Sequence, residues 1–173
     1  MSADHRRRTA RTASAENAGG RTTLEFSRFL PHPPERVWAA ITEPELVRQW
    51  FLTSVSGSQK LGGTISLETG PARASGRILA WDPPRLYEYE WNIPEGVEAF
   101  PGERSTVRWE LTAVPGGTRL ALTHRDLRPP TAQVFRRGLS VFLDRLEALL
   151  DGRAMRRNPL EPDPRDAPAH RGG

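Results

Sequence analysis

The chain has no cysteine, which excludes disulfides and thiolate metal sites. No apolar run approaches the roughly 20 residues that a membrane-spanning helix needs, so no membrane partner is expected. Arg6-Arg7-Arg8 opens like a twin-arginine export signal. The next residues, Thr-Ala-Arg-Thr-Ala-Ser-Ala-Glu-Asn, contain no apolar stretch, so that reading is rejected and a cytoplasmic location is expected. Histidine is sparse. His5 and His170 fall near the ends, His32 in a loop and His124 on a strand, so no three-ligand set is visible and neither metal nor cofactor is expected. There is no Gly-x-Ser-x-Gly elbow. Gly62-Gly63 and Gly116-Gly117 lack the strand-to-helix setting and the lysine of a phosphate loop.

Charge is present but misplaced for a nucleic-acid face. The net charge of the 173 residues is +4, from 25 basic and 21 acidic side chains. Residues 1–21 hold five basic and two acidic residues, and 152–173 hold five and three, so 22–151 carries −1. The excess belongs to the ends, and no nucleic-acid partner is expected. Residues 1–20 are short of large apolar side chains and read as a disordered basic tail. The prolines and charges of 152–173 read as a second disordered tail, Pro/Arg-rich. Between them, 21–151 is the size of one domain.

The strongest pattern is Thr131 to Leu150. Phe135, Leu139, Phe142, Leu146 and Leu149 recur at helical steps, Arg136, Arg137, Asp144, Arg145 and Glu147 fall mostly elsewhere on the wheel, and Asp151-Gly152 supplies a stop. Burying that stripe contributes about 7–15 kcal/mol before entropy, comparable with the net stability of a whole domain. Its partner surface lies upstream. A first strand is predicted over 21–30, then two short helices started by Pro34 and Pro44 and carrying Val37, Trp38, Ile41 and then Leu46, Val47, Trp50, with Thr42 as a cap for the second. Strands follow over 64–68, 72–81, 86–93, 105–114 and 118–125, with a weaker candidate over 51–56. Turn residues separate them, so the sheet is antiparallel, of about six to seven strands.

Alternation sorts the faces. Tyr87, Tyr89 and Trp91 share one side, with Val107, Trp109, Leu120, Leu122 and His124, while Glu88 and Glu90 point to solvent. The helix should lie across the aromatic face. Trp38 and Trp50 read as packing, and Trp91 and Trp109 as walls of a cavity. Arg28 and Arg77 could neutralise an acidic ligand at its mouth, although exposed arginines are the commoner case.

The ordered set Pro33-Pro34-Glu35-Arg36-Val37-Trp38-Ala39-Ala40-Ile41-Thr42-Glu43-Pro44-Glu45, Trp50-Phe51, Leu61-Gly62-Gly63, Gly76-Arg77-Ile78, Pro84 to Trp91, Gly116 to Leu120 and Leu122-Thr123-His124 resembles the SRPBCC (START-like) superfamily. The resemblance is closest to the branch related to the C-terminal domain of the heat-shock-protein-ninety ATPase activator, and it covers roughly 22–150. Where that family often has Gly-Trp in the last helix, this chain has Gly138-Leu139. The resemblance implies an α+β helix-grip fold, a curved sheet wrapped on a long C-terminal helix, often with an apolar cavity between them. Some members bind lipids, hormones or polyketides, a few catalyse cyclisation or hydrolysis, and one branch stimulates a chaperone.

The expected function is binding of a small hydrophobic or amphipathic molecule. The expected cavity residues are Tyr87, Tyr89, Trp91, Trp109, Leu122, His124, Phe135, Leu139 and Phe142. The alternatives are a cyclase- or hydrolase-type enzyme using His124 as a weak catalytic candidate, with Asp126 nearby, and an interaction protein with a chaperone as partner.

Overall fold

The computed structural model describes residues 10–51, 53–69, 72–96 and 102–158. The order is β1 (Arg11–Glu16), β2 (Thr22–Leu30), α1 (Pro34–Thr42), α2 (Pro44–Trp50), β3 (Ser54–Gly57), β4 (Thr64–Thr69), β5 (Ala72–Asp82), β6 (Leu86–Ile93), β7 (Glu103–Val114), β8 (Gly117–Leu127) and α3 (Pro129–Asp151). The strands form one antiparallel sheet in the order β1-β2-β8-β7-β6-β5-β4-β3. All but the β2–β8 pairing join consecutive strands, which is why turn chemistry alone orders most of the sheet.

Two expectations change here. The sheet has eight strands rather than six to seven, and the added one, β1, lies inside the stretch read as a disordered tail. Every side chain of β1 is exposed, so no apolar periodicity marks it. It is held by pairing Arg11–Glu16 against Thr22–Ser27 across a tight turn at Asn17–Gly20. Gly20 sits there at φ 69°, backbone that a side chain would strain. Residues 1–9 and 159–173, where the rest of the two tails was expected, lie outside the described residues.

The two short helices wedge against one end of the sheet. Trp50 is 1% exposed, and its indole N–H donates to the Ala40 carbonyl at 2.8 Å, tying α2 to α1. Thr42 does not cap α2. It bonds back to the Trp38 carbonyl at 2.7 Å, and Glu43 holds the cap position instead.

α3 starts at Pro129-Pro130 and ends where Gly152 turns left-handed at φ 65°. Its two halves differ. Phe142, Leu143, Leu146 and Leu150 are buried in the core, whereas Phe135, Gly138 and Leu139 are only half-buried. Arg145, assigned to the polar side of the wheel, is buried at 8%. Its guanidinium donates to the Trp50 carbonyl at 2.9 Å, to Gln49 at 3.1 Å and to the Arg156 carbonyl. Those carbonyls include the open C-terminal end of α2, where a cation is electrostatically favoured. The helix therefore buries a charge on its core side because a neighbouring helix ends there.

Glu88 also departs from expectation. It lies on the outward face, yet it is 7% exposed because Arg108 and Arg125 each reach one of its oxygens at 2.9 Å. Glu90, on the same side, is half-buried and accepts from the Arg77 backbone N–H at 2.9 Å.

Candidate ligand cavity

The inward row of β6 meets a different cover at each step. Tyr87 packs edge-on to Trp81 at 5.1 Å and lies 6.2 Å from Trp38, beneath α1. Tyr89 receives the Trp109 indole N–H at 3.4 Å, and Trp109 packs edge-on to Trp50 of α2. Trp91, at the far end, meets its neighbour Tyr89 at 6.4 Å and, from other elements, Phe51 at 6.0 Å, His124 at 6.1 Å and Phe135 at 6.3 Å. There the wedge of short helices has run out, and the half-buried end of α3 spans the gap.

A cavity of about 130 Å³ results. Its floor includes Tyr89, Trp91, Trp109, Leu122 and His124, and its roof Phe135, Leu139 and Phe142 from α3. Eight of the nine residues expected at the cavity thus lie around one space. Tyr87 does not; it borders a minor crevice beneath α1 and α2. Parity gave its face correctly, but coverage by another helix closed that end.

Several lining residues were not anticipated. Phe51 follows α2, Ile93 extends the β6 parity by one step, and Gly138 leaves a gap in the helix roof. A Cβ built at Gly138 meets no atom within 4 Å. The cation at the rim is Arg73, exposed and paired with Glu68 at 2.6 Å. Arg28 and Arg77, the two arginines considered for that role, are elsewhere. Arg28 is buried beside Glu147, with its Nε 3.3 Å from the carboxylate, and Arg77 is exposed away from the cavity. Burial holds the Glu147 carboxyl above its usual range, a shift that Arg28 opposes.

His124 is the polar centre of this wall. It is 3% exposed, stacks on Phe135 at 5.2 Å, and its Nε2 lies 2.8 Å from Ser105 Oγ. Ser105 also reaches the Trp91 carbonyl at 2.9 Å, and a carbonyl only accepts. The single serine proton therefore goes to Trp91, and Nε2–H of His124 donates to Ser105 Oγ. That tautomer satisfies Ser105, the Trp91 carbonyl and Nε2 together and leaves Nδ1 as a bare lone pair.

Burial without a counter-charge pushes the His124 pKa down to about 3. Burial likewise pushes the Tyr89 phenol up to about 12, with the Trp109 hydrogen bond opposing the rise. The wall is therefore neutral at ordinary pH.

This geometry makes a poor catalytic pair. A general base works best with a pKa near the operating pH, and Ser105 has already committed its proton to a carbonyl. Asp126 is exposed, in left-handed backbone at φ 65°, and Thr123 lies on the opposite face of β8, so neither joins His124. Among the described residues, no group of three or more His, Asp or Glu is placed to hold a metal ion. No helix among them is long and apolar enough to cross a membrane.

A curved antiparallel sheet gripping a long C-terminal helix, with an apolar void under that helix, defines the helix-grip class. Residues 31–151 match the family described as Activator of Hsp90 ATPase homolog 1-like protein, and the chain belongs to that family. Among solved structures, protein MLL2253 from Mesorhizobium loti is 26% identical with a TM-score of 0.69, over 77% of this chain and 99% of that one. CalU16 from Micromonospora echinospora is 26% identical with a TM-score of 0.65, over 82% of this chain and 84% of that one. DynU16, from the dynemicin biosynthetic locus, shares the fold at 23% identity and a TM-score of 0.67, over 79% of this chain and 50% of that one. A comparison with curated proteins gave no match.

Proposed function

We propose that this protein binds a small hydrophobic or amphipathic molecule between its sheet and the first half of α3. The observation that carries this reading is the cavity of about 130 Å³, walled by aromatic and aliphatic side chains around few polar groups. A void of that size in a packed core forfeits contacts, which a bound apolar molecule restores. Native mass spectrometry of protein purified from its own host should show a bound mass. A lipophilic library should raise the melting temperature. If both fail, the proposal fails. A chaperone partner is a second reading, supported by the family's description; a pull-down with the host's own chaperone of that class that recovers nothing would count against it.

A further inference from the structure

Two polar atoms of the cavity wall are left without partners. Trp91 Nε1 is the one sealed side-chain polar atom with no hydrogen bond among the described residues. His124 Nδ1 also makes none with them. It is not among the sealed atoms, so it is reachable from the cavity that its ring lines. Trp91 Nε1, being sealed, opens on no part of that space, so of the two only His124 Nδ1 can meet a bound molecule. Such an unmet acceptor strongly favours a partner that supplies a donor.

Size narrows the partner. The void of about 130 Å³ is close to the roughly 150 Å³ of an apolar cavity known to hold one benzene ring. Charge narrows it further. Among the described residues the wall offers no cation beside His124, so a buried carboxylate would stay uncompensated there, while a neutral hydroxyl would not. Arg73 lies out at the rim, already paired with Glu68.

Resting on the ligand-binding reading above, we infer that the cavity selects a neutral single-ring phenol. Its hydroxyl donates to His124 Nδ1. The ring lies under Phe135 and Leu139, against the gap left by Gly138. His124 is then a specificity-determining residue, and no bond is made or broken.

The test compares p-cresol, p-xylene and 4-methylbenzoate by titration calorimetry on the full chain and on His124→Phe, which keeps a ring but removes the acceptor. p-Xylene reports the apolar cavity alone. The p-cresol to p-xylene affinity ratio is expected to fall about tenfold in His124→Phe, the weight of one hydrogen bond, while p-xylene affinity stays within about twofold. In the unsubstituted protein, p-cresol alone should shift the His124 Nδ1 nitrogen resonance upfield, a readout that survives if His124→Phe does not fold. An unchanged ratio, a His124 nitrogen resonance that p-xylene moves equally, or 4-methylbenzoate binding as tightly as p-cresol overturns the inference. If p-xylene binds and p-cresol does not, the phenol assignment fails and the ligand-binding reading stands. If none of the three binds, both fail.

Discussion

His124 is kept neutral by its surroundings, and this has a measurable consequence. In the unfolded chain an imidazole takes a proton below about pH 6.5. In the folded chain His124 does so only near pH 3. Between those values the unfolded state binds the extra proton, so stability falls as pH falls from about 6.5 towards 3. The loss is about 2 kcal/mol at pH 5 relative to pH 7. Urea unfolding at the two pH values should show it in the native protein and not in His124→Phe; equal losses in both would remove the assignment. Arg145 is the second residue with a large effect. Replacing it with Met keeps the buried stem but strips three carbonyls of their donor, including those ending α2. Arg145→Met should cost about 2–4 kcal/mol in chemical denaturation.

At the scale of the element, α3 does two jobs with its two halves. The second half closes the core, and the first roofs the cavity. Gly138 lies in the roof, where glycine weakens a helix by about 1 kcal/mol relative to alanine. Because a Cβ there meets nothing within 4 Å, Gly138→Ala should raise stability by about 0.5–1 kcal/mol. Gly138→Trp should fill the void, hold or raise the melting temperature, and abolish the thermal shift given by small apolar ligands. A tryptophan variant that still binds them would move the site elsewhere. Glu103 secures the start of this roof. Its carboxylate accepts from the Arg128 backbone N–H at 3.2 Å and pairs with Arg21 at 3.0 Å. A carboxylate at that end of a helix also suits its dipole.

For the whole molecule, the sheet is open, with β1 at one edge and β3 at the other. β1 supplies backbone pairing and no buried side chain, so it shields the edge of β2 more than it builds the core. Removing residues 1–17 should lower stability by no more than about 2 kcal/mol, and should make the protein associate in a concentration-dependent way on size-exclusion chromatography. A truncated chain that unfolds outright would show β1 to be integral to the domain.

Most of the architecture follows from local pattern. Period two on β6, β7 and β8, period 3.6 on α3 and the proline starts of α1 and α2 each constrain few arrangements, because side chains alternate or spiral by fixed geometry. The inward face of the sheet, and so eight of the nine expected cavity residues, could be read that way. Coverage was not legible. Whether Tyr87 meets a helix and Trp91 meets a void depends on where α1 and α2 stop relative to β6. Nor was the burial of Arg145 and Glu88, because a backbone carbonyl 95 residues away and arginines 20 and 37 residues away leave no periodic trace. β1 escaped because backbone pairing asks nothing of its side chains. Alternation and spacing are properties of neighbours along the chain, so the sequence alone determined the faces and the fold. The size of the cavity, the unmet nitrogen of His124 and the neutrality of that ring depend on what distant segments do and do not cover, and only the tertiary structure decided them.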